Sequence, residues 1–212
     1  MIQQLKDMFS DPVITEKIKI KLPILFHMAN LESMRAGKIG MEVGTIRERI
    51  LSSLLIYHFG KQNVETEIPT TQAEIDVKLY NRPISIKTIS STGNSFAGVK
   101  LSWTVDAAKA NAFASSYIPQ YDMLFAQIKW DDYGALYYIS SEVQQLVFSS
   151  MVKGTYLKLP TPGTNPRGVE ISGDALSTIC KHPEIEKLEI LWKKQEINID
   201  MFERWVDLWA QD

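Results

Sequence analysis

The sequence predicts an α/β protein with a central mixed β-sheet flanked by helices. Three observations predict it. Apolar spacing is helical over residues 43–59 but has a period of two over 73–80. Helix and strand signals alternate along the chain instead of segregating. The 212 residues, 45% hydrophobic and 23% charged, suffice for a packed core without cross-links. We expect one domain, 1–212: a helical N-terminal part (1–38), a central part holding any chemistry (39–150), and a loop plus C-terminal helices (151–212).

Residues 1 to about 38 read as helix, broken by the Ser10-Asp11-Pro12 and Leu22-Pro23 turn signals. The glycine-punctuated stretch Gly37 to Gly44 leads into a strong helix from Val43 to Phe59, with Gly60 as its stop. Strand signals cover Val64 to Ile68, Ala73 to Tyr80 and Ile84 to Ser90. After the polar loop SSTGNSFAG, Val99 to Trp103 reads as strand and Asp106 to Ser116 as helix. Two strands, Tyr121 to Trp130 and Ala135 to Ile139, flank the turn DDYG. A helix from Glu142 to Met151 and a proline-rich loop follow. The last forty residues read as helical, with Asp200 and Glu203 as a capping box for the final helix.

Composition excludes several classes. The formal charge is -2, so nucleic acid could be held only by a local basic cleft. One Cys and three His leave thiolate zinc sites and Cys/His nucleophile schemes short of parts. No run approaches the ~18 apolar residues of a membrane span, and the N-terminal residues lack the apolar core of a signal peptide. These features fit a cytoplasmic protein whose chemistry rests on carboxylates, lysine and an oxygen-bound hard cation.

The segment AEIDVKLYNRPISIKTIS is the most informative. Ala73, Ile75, Val77 and Leu79 are apolar, whereas Glu74, Asp76, Lys78 and Tyr80 are polar. With a loop centred on Asn81 and Arg82, Val77 faces Ile86, Leu79 faces Ile84, and Asp76 faces Lys87. An exposed cross-strand ion pair is the ordinary alternative, worth only about 0.2–1 kcal/mol. Glu48 adds a third group. It continues the stripe Leu51, Leu55, Phe59, which points inward, and a buried acid needs a partner. That partner is either a capping or arginine contact, through Arg47 or Arg49, or a metal ion shared with Asp76.

A helix bearing Glu48, then a hairpin bearing Asp76 and Lys87, resembles the PD-(D/E)xK nuclease superfamily, and the chain as a whole resembles its type II restriction endonucleases. The resemblance implies a restriction-endonuclease-like core, with Glu48 as the helix acid, Asp76 as the central metal-binding acid and Lys87 as the motif lysine. Ser85 stands where the family usually has Asp or Glu, and Ile75, not Pro, precedes Asp76. A second register, Asp76-Val77-Lys78 with Glu67 as first acid, keeps Asp76 but exchanges the lysine. The implied cofactor is Mg²⁺, held by Asp76, Glu48 and the carbonyl of Ile86.

The implied partner is double-stranded DNA carrying a short palindrome, CGCG, cut to blunt ends. Cutting both strands of a palindrome is most simply done by a homodimer, to which the final helix with Trp205 and Trp209 is a candidate contributor. Candidate DNA contacts are Ser91 and Asn94 in the polar loop, Lys100 beyond it, and Arg167 in the proline-rich loop, beside Asn165. Met41, between Gly40 and Glu42, is a candidate wedge between base pairs from the minor groove. Each has a bland alternative, a solvated loop or a packed methionine. Two further readings stay open: a structure-selective nuclease such as a junction resolvase, and a non-catalytic dimeric DNA-binding module.

Overall fold

The computed structural model describes residues 2–40, 42–69, 72, 74–91, 93, 96–152, 154–161, 168–197, 200 and 202–211. Two helices open the chain, α1 (Gln3–Ser10) and α2 (Pro12–Glu32). Asp11 separates them. Its carboxylate accepts the N–H groups of Val13 at 2.8 Å and Ile14 at 3.5 Å, while Pro12 fills the first turn, where a missing N–H loses nothing. The break expected at Leu22-Pro23 does not occur, and α2 runs through Pro23. Leu22, Pro23 and Phe26 are all buried, so packing offsets the hydrogen bond that the proline ring removes.

A short hairpin, β1 (Met34–Arg35) and β2 (Lys38–Ile39), leads to α3 (Val43–Phe59), whose bounds match the expectation. Gly60, at φ +86°, ends the helix in a conformation that glycine adopts without strain. There follow β3 (Val64–Glu65), β4 (Val77–Leu79), β5 (Arg82–Ser90), β6 (Val99–Ser102), α4 (Ala107–Ser116), β7 (Asp122–Ile128), β8 (Tyr133–Ile139) and α5 (Ser141–Ser150). The C-terminal part holds β9 (Leu157–Lys158), β10 (Val169–Ile171), α6 (Gly173–Ile179), β11 (Glu186–Leu191) and α7 (Glu203–Trp209).

The main sheet has six strands in the order β11-β8-β7-β5-β4-β3. Only β5 and β7 run parallel; the other pairs are antiparallel. The sheet is therefore mixed, as predicted, and the β5-to-β7 crossover carries β6 and α4. Strand β6 joins β10 and β9 in a second, three-stranded sheet.

Alternation along β7 divides the interior. Leu124, Ala126 and Ile128 pack with residues of α1, α2 and α3 on one face. Met123 and Phe125 pack with α5, α6 and the second sheet on the other. Both faces are covered, so β7 is buried throughout, whereas β5 is exposed at its two ends and half-buried at Lys87 and Thr88.

The last forty residues are not all helical. Residues 186–191 form an edge strand in which Leu188 and Ile190 are buried and Lys187 and Glu189 are exposed. The period there is two, which favours a strand over a helix, and the exposed charges blunt the open edge. Asp200 does not cap α7 through a box with Glu203. It accepts the N–H of Phe202 at 2.8 Å, and the helix starts at Glu203 with no side-chain cap. Among the described residues, no helix is long and apolar enough to cross a membrane.

Candidate active site

The hairpin of β4 and β5 turns through Tyr80 (φ +49°) and Asn81 (φ +63°). Two positive φ values in a two-residue loop match the twist of the strands they join. This turn sets the register. Val77 pairs with Ile84, Lys78 with Pro83 and Leu79 with Arg82. The expected pairing of Val77 with Ile86, Leu79 with Ile84 and Asp76 with Lys87 is therefore displaced by two residues. Tyr80 and Asn81, not Asn81 and Arg82, tolerate the left-handed conformation as a pair. A slip of two leaves every side chain on its expected face, so Asp76 and Lys87 still share one. They meet diagonally.

Past Val77 the ladder ends and the strands fork. The Asp76 N–H still reaches Ile84 O at 3.0 Å, but Ile86 N–H has no main-chain partner on β4 and donates to Asp76 Oδ2 at 2.6 Å. Lys87 Nζ donates to the same oxygen at 3.0 Å and to Ile86 O at 3.1 Å; Ser85 Oγ lies 3.4 Å from Oδ2. The Lys87 and Asp76 side chains are only 12% and 20% exposed, so this is no solvated surface pair. Lys78, the competing lysine, instead pairs with Glu65 at 3.0 Å. The geometry brings Lys87, and not Lys78, to Asp76.

Glu48 reaches the fork from α3. Leu51 and Leu55 on its stripe are fully buried, Glu48 is half-buried, and α3 packs against β5. The arginine alternative does not hold for Arg47, which donates to Asn30 Oδ1 at 2.7 Å and sits over the Phe26 ring. Burial pushes the Glu48 carboxyl up to about 7; the Asp76 carboxylate adds to the rise and Lys87 opposes it. Glu74 was not singled out by sequence reasoning. Burial raises its carboxyl too, against the pull of Lys87. The signal was present, since Glu74 is the preceding position on the polar face that carries Asp76.

Three acids thus lie near one lysine, and burial favours the neutral form of two of them, Glu48 and Glu74. The donors are all hard oxygens: Glu48, Asp76 and the carbonyl of Ile86. This set fits a cation of the Mg²⁺ class, completed by water. Among the described residues, no group of three or more His, Cys, Asp or Glu side chains converges as a metal cage.

Of the DNA-contact candidates, Met41, Asn94 and Arg167 lie outside the described residues, as does Asn165. Ser91 closes the end of β5: its N–H donates to Ile128 O at 2.9 Å and its hydroxyl lies 3.4 Å from Gln127 Nε2. Lys100 is not a free cation. It is bonded to Glu170 at 2.6 Å and lies 4.9 Å from the centre of the Trp103 ring.

Comparison with known proteins gives two matches. The family described as "Restriction endonuclease ThaI" matches residues 8–211. A solved structure described as "Restriction endonuclease in complex with substrate DNA" is 53% identical, with a TM-score of 0.90, over 98% of this chain and 99% of the other. No curated protein matches.

Proposed function

This chain belongs to the ThaI restriction endonuclease family, and on that premise we propose a Mg²⁺-dependent enzyme that binds double-stranded DNA, cuts both strands at CGCG to blunt ends, and works as a homodimer in the cytoplasm. The observation that carries the reading is the fork where Asp76, Lys87 and Glu48 meet. The description of the similar structure as a complex with substrate DNA supports the partner.

Asp76 and Glu48 would hold the cation together with Ile86 O. All three hydrogen bonds described for Asp76 fall on Oδ2, which leaves Oδ1 to the metal. A bound Mg²⁺ supplies a water of lowered pKa and a Lewis acid for the phosphate oxygen. Lys87, fixed by Asp76 and Ile86 O, positions the attacking water and neutralises the charge that develops on the phosphorane. Ionised Glu48 completes the acidic side of the cleft. Met41, Ser91, Asn94 and Arg167 remain the proposed DNA contacts, with Met41 as a wedge. Lys100 reaches a phosphate only by leaving Glu170.

The test is digestion of a defined plasmid, with Mg²⁺ or with EDTA, followed by mapping of the cut ends. Discrete fragments ending bluntly within CGCG support the proposal. A preference for branched substrates would indicate a structure-selective nuclease, and cleavage that survives EDTA would remove the metal.

A further inference from the structure

Two surfaces expose apolar side chains. The first is a groove of about 570 Å³ between α2 and α3, floored by Leu25, Ile50, Leu54 and Tyr57. That volume suits a few large side chains. Its rim is basic: Lys17 and Lys21 stand four residues apart on α2, and Arg49 faces them from α3. Among the described residues, none of the three has a carboxylate partner within ion-pair distance. Lys17 Nζ lies 4.6 Å from the centre of the Tyr57 ring, at the mouth of the groove.

The second surface is α7. Phe202, Val206 and Trp209 recur at spacings of four and three, which aligns them on one helical face. They are 73%, 61% and 91% exposed. Seven residues are too few to hold a helix in water unaided, and an exposed stripe of this kind marks a covered surface. Glu203 and Asp207, four residues apart, form an acidic row beside the stripe. An apolar groove edged by cations four apart thus matches an apolar helix edged by anions four apart.

We propose that α7 of one protomer seats in the α2–α3 groove of a second copy, with Phe202, Val206 and Trp209 in the groove and Glu203 and Asp207 against Lys17 and Lys21. The exchange is reciprocal, so a two-fold pair closes both surfaces on both chains. It deepens the homodimer of the proposed function but is read out by mass and cross-linking, without DNA or metal, so that its failure leaves the cleavage reading to its own test. Failure of either is therefore seen separately.

The full chain is examined by sedimentation equilibrium, with circular dichroism as the check on folding. A dimer is expected. Val206→Asp with Trp209→Asp weakens association by about tenfold or more, as does Lys17→Glu with Lys21→Glu. Mixing the latter with Glu203→Lys/Asp207→Lys chains restores a mixed dimer. Ser53→Cys, in the groove, and Ala210→Cys, at the end of α7, are then oxidised together as separate chains, with the wild type as control for Cys180. A disulfide between the two chains supports the proposal. A bond that forms only within a chain carrying both Ser53→Cys and Ala210→Cys places α7 in its own groove and overturns it. A monomeric wild type, or a dimer indifferent to all these substitutions, overturns it equally.

Discussion

Glu48 is the residue on which pH dependence turns. Its carboxyl stands at about 7 where 4.5 is ordinary, so in the metal-free protein it is protonated over much of the range below neutrality. If Glu48 holds the cation, as proposed, binding displaces that proton. Calorimetric titration with Mg²⁺ in two buffers of different ionisation enthalpy should show proton release below about pH 7, fading above it. Glu48→Gln should remove the release; unchanged release would detach Glu48 from the metal. The same shift makes a stability statement. A raised carboxyl favours the fold fully below its unfolded value of 4.5, and that favour is lost as pH rises through about 7. Glu48→Gln should therefore gain on the metal-free wild type in urea melts at alkaline pH and show no gain at about pH 4. Lys87→Ala should lower cleavage by about 10²–10⁴-fold while DNA binding persists; normal turnover would dismiss the lysine. Arg47 is a buried cation whose guanidinium burial pulls down to about 10, and Asn30 is its neutral acceptor. Asn30→Ala should cost about 2 kcal/mol in denaturant unfolding, since a hydrogen bond to a buried charge is lost.

At the scale of elements, the turn of the β4–β5 hairpin decides where the chemistry sits. Asn81 holds φ +63°, which a β-branched residue adopts only under strain. Asn81→Val should cost about 1–2 kcal/mol and lower cleavage by loosening the Asp76–Lys87 diagonal, whereas Asn81→Gly keeps both. Urea unfolding alongside a cleavage assay checks this, and full activity in the valine variant would mean the register does not depend on the turn. The hairpin also marks the limit of what could be read in advance. Alternation put Asp76 and Lys87 on one face, and the stripe of α3 put Glu48 inward, because periodicity is a local property. The two-residue slip was not legible, since Tyr80 is an unusual left-handed residue and the sequence pointed to Asn-Arg as the turn. Strand β11 was missed for a related reason: its short alternating run was absorbed into surrounding helical signals. Pro23 misled in the opposite sense, because burial that holds α2 together comes from partners distant in sequence.

At the scale of the whole molecule, a six-stranded sheet covered on both faces stands behind the hairpin that carries Asp76 and Lys87. If two such molecules act together on a palindrome, supercoiled plasmid with one site should pass directly to the linear form in Mg²⁺, as gel electrophoresis would show. Accumulation of nicked circles would point to protomers acting singly. The parallel pairing of β5 with β7 has a consequence for synthesis. Glu48, Asp76 and Lys87 all lie in the first ninety residues, yet β5 stays an open edge until residues 122–128 lie beside it. A chain still emerging from the ribosome thus holds every proposed reactive group but lacks the strand that β5 pairs with. On the proposed site, such a nascent enzyme would be harmless to the chromosome of the cell that makes it until residues 122–128 have been translated.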